Sequence, residues 1–171
     1  MSETTSYMRI DGLEPKGAAT VTDIGGKKGF FVIDPWSWEA ARGISNSVGD
    51  GNNADRGMVA MSELHISRSK TDGASPYLLS WLIAPGNEGK KIEIVDAVPS
   101  RDGEGIMPVK IITLTGGRVA HKSLSPDRMT MSIAYNDISF AFYYEDDSGK
   151  IEKGPEVGFD LSTAKATSLA S

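Results

Sequence analysis

The stretch that decides the fold is MTMSIAYNDISFAFYY, residues 129–144. Its first half places large apolar residues on alternate positions, which is typical of a half-buried strand: Met129, Met131, Ile133 and Tyr135. The alternation then skips one residue at Asn136-Asp137 and resumes, with Ile138, Phe140, Phe142 and Tyr144. A one-residue slip sends the apolar set to the wrong face unless a bulge or bend absorbs it. We therefore predict one bent strand, or two short strands that meet at a corner.

The composition predicts one domain that spans residues 1–171. The chain is 39% hydrophobic and 24% charged, and its 19 Gly and 8 Pro suit many short strands joined by tight turns. A net charge of -5 argues against nucleic-acid binding, because phosphate contacts need a basic face. The absence of cysteine excludes disulfides, thiolate metal sites and a Cys nucleophile.

The N-terminal sequence MSETTS lacks the basic start and apolar stretch of a signal peptide. The longest apolar run, 77–84, is too short to cross a bilayer. We therefore expect no membrane insertion, and we expect any export from the cell to need no cleavable leader.

The periodicity predicts strands along most of the chain, at 7–10, 30–42, 58–69, 92–95, 109–114 and 151–161. Pro35 should bend the second of these strands. Gly116-Gly117 is either a hairpin turn or a kink in a strand that continues to Ser123. Residues 146–149 should form a hairpin turn, and residues 162–171 should form a frayed tail.

One helix is predicted, starting near Ser75 as its N-cap with Pro76 at the first helical position. Its apolar stripe has spacings of one, three and four residues and comprises Leu78, Leu79, Leu82 and Ile83. The helix should end before Pro85-Gly86.

Residues Gly43–Gly57 are predicted to be a long polar loop, because they are rich in Gly, Asn and Asp. A loop of this length within a compact domain is either functional or a disordered connector.

Few residues carry recognisable chemistry. His65 and His121 are the only histidines, and neither lies in a metal-binding spacing. No nucleophile elbow or phosphate loop is present, and the contiguous acids at 145–147 do not alternate as calcium ligands do. We predict no catalytic residue, no metal and no cofactor, so the protein is not expected to be an enzyme.

The tripeptide Trp36-Ser37-Trp38 should place both indoles on one face of a strand and Ser37 on the other. Two alternatives are open: two core aromatic residues flanking a surface serine, or a serine that faces a space enclosed by several subunits. We expect the core aromatic residues to be Trp36, Trp38, Phe140 and Phe142.

Four segments in order resemble the haemolysin-coregulated protein (Hcp) family, the tube subunits of the bacterial type VI secretion system. They are Trp36-Ser37-Trp38, the helix lead-in SKTDGASPYL at 69–78, the slipped strand at 131–142, and Gly158-Phe159-Asp160-Leu161. The resemblance implies a mainly β protein: a small antiparallel β-barrel, or two curved sheets, with one short α-helix on the side.

The resemblance also implies function. Six copies would form a ring with a central pore, and the rings would stack into a tube inside a sheath, with a spike at its tip and effector proteins in its pore. Such a protein is assembled in the bacterial cytoplasm and exported to the medium or a target cell. An unpaired sheet edge would be covered by the next copy.

Two candidate sites follow from the resemblance. Ser37 would face the pore and contact cargo. The polar loop would contact the next ring through Gly43, Ser45, Asn46, Gly49, Asp50, Asn52, Asn53 and Arg56. The alternatives are a monomeric β-barrel that binds a small ligand in its interior, a phage-like tail-tube protein, and a small hydrolase.

Overall fold

The structure is a computed structural model that describes residues 4–13, 20–21, 24, 27–44, 55–84, 86, 88–99, 105–163 and 165–168. The described part holds thirteen strands and one helix. In chain order these are β1 (Thr5–Ile10), β2 (Thr20–Val21), β3 (Phe30–Ile33), β4 (Ala40–Ile44), β5 (Asp55–Met61), β6 (Leu64–Arg68), α1 (Ala74–Ile83), β7 (Lys90–Pro99), β8 (Ile106–Leu124), β9 (Met129–Ala134), β10 (Asp137–Glu145), β11 (Ile151–Lys153), β12 (Val157–Asp160) and β13 (Lys165–Ser168).

Every strand pairing in this part of the chain is antiparallel. The main sheet has the order β13-β12-β10-β8-β7-β1-β3-β2, with β11 paired to β10. A branch leaves it at β8, since β9 pairs with β8 and β6 pairs with β9. The strands β4 and β5 form a separate two-stranded hairpin.

The strand ladders do not close into a barrel by themselves. The gap lies between β3 and β6, and backbone bonds from the segment that follows β3 bridge it. The amide of Asp34 donates to the Ser67 carbonyl at 2.9 Å, and Ser37 and His65 exchange two hydrogen bonds of 2.9 and 3.0 Å. The predicted mainly β fold with one short helix is confirmed, and its curved sheet is fastened at this gap by an irregular segment.

The space enclosed by the sheet is filled with apolar side chains. The largest fully buried ones come from strands all around it and from the helix, and include Met8, Phe31, Leu64, Ile66, Leu78, Ile94, Ile112, Leu114 and Met131. A second cluster lies on the other face of β1, β3 and β7, and comprises Tyr7, Ile24, Phe30, Val95 and Ala97. Burial of this apolar surface is the main force that holds the sheet in its curved form.

The predicted break in the slipped strand is a corner between two strands. β9 ends at Ala134 and β10 begins at Asp137, with Met131, Ile133 and Ile138 all buried. The corner is held by the backbone of Asn136, whose amide donates to Thr115 at 2.9 Å and whose carbonyl accepts from Leu161 at 2.8 Å. The slip in the apolar pattern therefore marks the point where the chain changes partner strands.

Gly116-Gly117 is a kink in one long strand, the second of the two predicted alternatives. β8 pairs with β10 before the kink and with β9 after it, so the kink lies against the Asn136 corner. Gly116 has φ of +67°, which L side chains rarely adopt, and a Cβ there would lie 2.4 Å from the Asn136 side-chain nitrogen. The Gly116-Gly117 kink in β8 and the Asn136 corner thus form the same bend of the sheet.

Several predicted boundaries change. The strand expected over 30–42 is interrupted between Ile33 and Ala40, consistent with Pro35, and the strand expected over 58–69 is two strands. The expected final strand over 151–161 is likewise two strands, whereas the turn at 146–149 is confirmed by the pairing of β10 with β11. The prediction of a frayed tail is wrong for Lys165–Ser168, which pair with β12.

The helix is present, but its predicted start and apolar face are wrong. It begins at Ala74, so Ser75 lies inside it, and the Asp72 carboxylate accepts the Ala74 amide at 2.9 Å. Ala74, Leu78 and Trp81 are its buried residues, whereas Ile83 is 73% exposed. Leucines occur on several sides of this helix, so the pattern could not distinguish the face that packs against β8.

We predict that Gly89→Ala destabilises the protein, because Gly89 lies against the kink in β8 at Gly116. A Cβ at Gly89 would lie 2.5 Å from the Gly116 carbonyl carbon, and backbone cannot rotate away as a side chain can. The free energy of unfolding should fall by about 1–3 kcal/mol, the usual cost of overpacking. Chemical denaturation measures it.

Gly86→Ala is the matched control, because Gly86 has φ of +78° but open space around a Cβ. It reports the cost of backbone strain without a clash, about 1–2 kcal/mol. Unchanged stability of Gly89→Ala would contradict the close approach of the two backbone segments.

Candidate assembly surfaces

Two partly buried hydrogen bonds orient the Trp36-Ser37-Trp38 segment. Trp36 Nε1 donates to Asp96 Oδ1 at 2.8 Å, and Trp38 Nε1 donates to the Tyr135 hydroxyl at 2.7 Å. Both indoles pack against the core and are partly buried, whereas Ser37 is exposed. The segment therefore has the predicted alternation, with two aromatic anchors on the inner side and Ser37 on the outer side.

Tyr135, which accepts the hydrogen bond from Trp38, connects this anchor to the backbone at Ser62. Its hydroxyl donates to the Ser62 carbonyl at 2.7 Å while accepting from the indole. Burial raises the pKa of Tyr135 above its ordinary value, although the bond from Trp38 acts in the opposite direction. The hydroxyl thus stays protonated and remains a donor at neutral pH.

On its outer side, Ser37 begins a row of polar residues that crosses four segments of the curved sheet. Cross-strand pairing places Ser37 opposite His65, His65 opposite Ser132, and Ser132 opposite His121. Neighbours in such a row have Cβ atoms about 5 Å apart, and His65 Nδ1 and Ser132 Oγ share a hydrogen bond of 2.9 Å. We call these four residues the polar row.

Three residues of the polar row, Ser37, His65 and Ser132, line a shallow depression of about 320 Å³. A second row of small polar residues follows the polar row on the same face, since Ser67 pairs with Thr130 and Thr130 pairs with Ser123. The buried partners of these strands, such as Ile66, Met131 and Ile133, point the other way. The outer face of this part of the sheet is therefore small, polar and free of large apolar groups.

A different surface is apolar and open to solvent. It is a groove of about 390 Å³ beside β10 and β12, and we call it the apolar groove: Trp38, Met61, Phe140, Phe142, Val157 and Phe159. Phe142 is 46% exposed and Val157 40% exposed. The rings of Phe140 and Phe142 stack with centroids 6.4 Å apart, and Trp38 packs against Phe140 at 4.8 Å. The groove therefore places several apolar side chains side by side at the surface of the single chain.

The buried ion pair Arg68–Asp72 fixes the region between the sheet and the helix. The guanidinium lies 2.9 Å from Asp72 Oδ2, and the two side chains are 2% and 8% exposed. Arg68 Nε also donates to the Val32 carbonyl at 3.1 Å, and its guanidinium lies over the Phe31 ring at 5.0 Å. One side chain thus connects β6, β3 and the start of α1.

The electrostatics of this pair follow from its surroundings. Burial alone would raise the pKa of Asp72, but hydrogen bonds from Arg68 and the Ala74 amide, together with the charges of Arg68 and Lys70, lower it below its usual 3.8. Burial and the Arg68 charge also lower the pKa of Lys122 from its usual value. The Asp72 carboxylate is therefore ionised and bonded to Arg68, whereas Lys122 lies beside the positive charge of Arg68.

The structure separates the predicted site residues. Ser37 lies on the polar row, and Trp36, Trp38 and Phe140 pack at the margin of the core. The expectation that Phe142 is a core residue is wrong for the single chain, because nearly half of its side chain is exposed. The buried core consists mainly of Met, Ile and Leu side chains with Phe31, Trp81 and Tyr135, whereas Trp38, Phe140 and Phe142 line the apolar groove.

The predicted polar loop is only partly a loop. Gly43 lies in β4 and Arg56 lies in β5, so strand structure extends into both of its ends. The remaining loop candidates lie outside the described residues: Ser45, Asn46, Gly49, Asp50, Asn52 and Asn53.

Sequence reasoning missed the relation between the two histidines. Each was considered alone, whereas the register places His65 and His121 on the same face with Ser132 between them. The alternation of His65 and Ser67 with buried Leu64, Ile66 and Arg68 was the available signal for an outward polar face. Which strand lies beside which could not be deduced from that alternation.

Two general searches cover the described residues only. No group of three or more His, Cys, Asp or Glu side chains among them is arranged to hold a metal ion. No helix within those ranges is both long and apolar enough to cross a membrane.

A family model described as "Type VI secretion system effector, Hcp" matches residues 7–142, which is most of the chain. The class of protein is thus the tube proteins of the type VI secretion system, and the resemblance seen in the sequence is confirmed. The chain belongs to the Hcp family. No curated protein sequence matches it.

Solved structures support the same fold. A structure described as a type six secretion system protein is 20% identical with a TM-score of 0.75, covering 96% of this chain and 100% of that one. Hcp1 from Salmonella typhimurium is 18% identical with a TM-score of 0.62, covering 97% and 99%. Secreted protein Hcp3 from Pseudomonas aeruginosa is 19% identical with a TM-score of 0.54, covering 87% and 97%.

We predict that Asp72→Asn removes a pH-dependent part of the stability. The asparagine can still accept the Ala74 amide, but it leaves the buried Arg68 charge without a partner, which should cost about 3 kcal/mol at neutral pH. Because the pKa of Asp72 is lowered in the folded state, its contribution is present above pH 3.8 and disappears as the pH falls through the lowered pKa.

Denaturation curves from neutral to acidic pH should therefore show that the difference in the free energy of unfolding between wild type and Asp72→Asn disappears in acid. Asp147→Asn, at an exposed turn residue, is the control and should change the stability by less than about 0.5 kcal/mol. A difference that stays constant down to acidic pH would contradict the assigned role of the carboxylate.

Proposed function

We propose that this protein is the repeating subunit of a type VI secretion tube, in which six copies close into a ring and rings stack around a continuous pore. The observation that carries the proposal is the exposed apolar groove around Phe142, which the single chain leaves uncovered. An apolar groove of this kind beside a sheet is stabilised when a second copy covers it. A head-to-tail contact repeated with a suitable rotation closes a ring.

The filled interior weighs against a monomeric ligand-binding barrel. Met8, Phe31, Leu64 and Met131 are fully or almost fully buried in the space such a ligand would need. A space large enough to hold a ligand or cargo is thus more readily formed between several copies of the chain than inside a single copy.

In this proposal the polar row faces the pore and contacts effector proteins. The row carries small hydroxyls and imidazoles but no large apolar group, which suits a surface that must hold a cargo and then release it. The tube is assembled in the bacterial cytoplasm inside a sheath with a spike at its end, and it is exported with its cargo. The hairpin of β4 and β5, with the polar loop Gly43–Gly57, is proposed to contact the next ring.

We expect Phe142→Asp to convert rings into monomers while leaving the fold intact. The side chain is 46% exposed in the single chain, so a charge there costs little until a second copy buries it. Ile83→Asp is the matched control, since Ile83 is 73% exposed at the end of the helix, away from the groove. Native mass spectrometry and negative-stain imaging report the assembly. A wild-type chain that stays monomeric at high concentration would overturn the proposal.

We expect Ser37→Gln to reduce retention of a co-expressed effector while rings still form. The longer side chain would project from the polar row into the pore, and Ser132→Gln, two positions along the row, should act in the same way. Ser80→Gln on the exposed face of α1 should have no effect. Co-purification of effector with the ring measures retention. If both polar-row variants retain the effector fully, Ser37 does not face the pore.

A further inference from the structure

A cavity of about 530 Å³ lies between the first turn of α1 and the turn that joins β8 to β9. Of the described residues that line it, four are cationic and none is acidic. We call it the basic groove and define it by Arg68, Lys70, Lys122 and Arg128. The positive charge of this groove is opposite in sign to the net charge of the whole chain, which is -5.

Among the described residues, three of these four cations make no salt bridge. Arg68 is paired with Asp72, but no salt bridge within the described ranges involves Lys70, Lys122 or Arg128. Lys122 is half-buried beside the Arg68 charge, and both effects lower its pKa. Four cations gathered around one groove, of which only Arg68 has a described carboxylate within salt-bridge distance, favour the binding of an anionic group.

The most acidic feature among the described residues is the end of the β10–β11 hairpin. It carries Glu145, Asp146, Asp147 and Glu152, and Asp147 and Glu152 are exposed. Asp146 builds the turn, accepting the Ser148 and Lys150 amides at 2.9 and 2.8 Å, and hydrogen bonds from Ser148 and Lys150 lower its pKa. The hairpin end therefore carries the ionised carboxylate of Asp146 together with the exposed carboxylates of Asp147 and Glu152.

The two features lie at opposite ends of the same strand. β10 runs antiparallel to β8, with Asp137 opposite Thr115 and Phe142 opposite Lys110, so the hairpin end lies beyond the start of β8. Leu124, the last residue of β8, lines the basic groove. The 19 residues of β8 correspond to roughly 60 Å of extended chain before its kink is counted. Opposite charges at opposite ends are the arrangement that a head-to-tail contact between copies needs.

We propose that the acidic hairpin end of one copy docks in the basic groove of the next copy of this chain. The inference rests on the proposed self-assembly and specifies one contact of it. The contact is heterologous, so each copy uses its hairpin towards one neighbour and its groove towards the other. Single surface ion pairs contribute little, but a set of carboxylates entering a groove with several cations forms a network and fixes the register of the contact.

The test uses two full-length double variants, Lys70→Glu with Arg128→Glu in the groove and Asp147→Lys with Glu152→Lys in the hairpin. Each double variant should weaken assembly at least about tenfold, measured as the midpoint concentration in sedimentation velocity, and more strongly at low than at high salt. Combining all four substitutions in one chain should restore assembly to within about threefold of wild type. Lys165→Glu and Glu88→Lys, at exposed positions outside both features, are the controls.

The outcomes separate this inference from the proposed function. If wild type forms rings or tubes and both double variants do so equally well, the hairpin–groove contact is wrong and the tube proposal stands. If the groove variant alone weakens assembly, or if the combined variant does not recover, another acidic segment occupies the groove and the assignment of the hairpin is overturned. If wild type does not self-associate at all, the proposed function itself fails. Thermal unfolding of each variant identifies any loss that comes from misfolding.

Discussion

The ion pair between Arg68 and Asp72 holds together the parts on which the rest of the molecule depends. Removing these charges from water is costly, and the cost is offset because each remaining donor and acceptor has a partner. The guanidinium reaches β3 through the Val32 carbonyl, while the carboxylate accepts the first amide of α1. The pair thus sets the position of the helix and holds β3 beside β6 at the gap in the strand ladder.

That gap explains why a serine between two tryptophans is displayed outward. The chain leaves the regular strand after Ile33, and the next backbone bonds to β6 are those of Asp34 and Ser37. With the indoles tied to Asp96 and Tyr135 on the inner side, the Ser37 side chain has only the outer side to occupy. The polar row therefore results from how the curved sheet is fastened, and the hydrogen bond between His65 and Ser132 adds to the positioning that the fold provides.

How far the sequence predicted the structure depended on the range of the interaction involved. The corner at Asn136 and the kink at Gly116 were each one of two predicted alternatives, because a local break in a pattern shows where the chain bends but not how. The outward direction of Ser37 followed from the alternation of Trp36, Ser37 and Trp38. The inner face of α1 was not predictable, because Leu79, Leu82 and Trp81 are all apolar and only packing against β8 decides between them. The solvent exposure of Phe142 and the alignment of His65 with His121 depend on which strands become neighbours, which no single stretch encodes.

The length of β8 has a mechanical consequence. One uninterrupted strand belongs to both parts of the sheet, and it runs from beside the acidic hairpin to the basic groove. Because this one strand belongs to two ladders, a force applied along it at the hairpin end would load its hydrogen bonds to β7 and β10 before the kink and those to β9 after it.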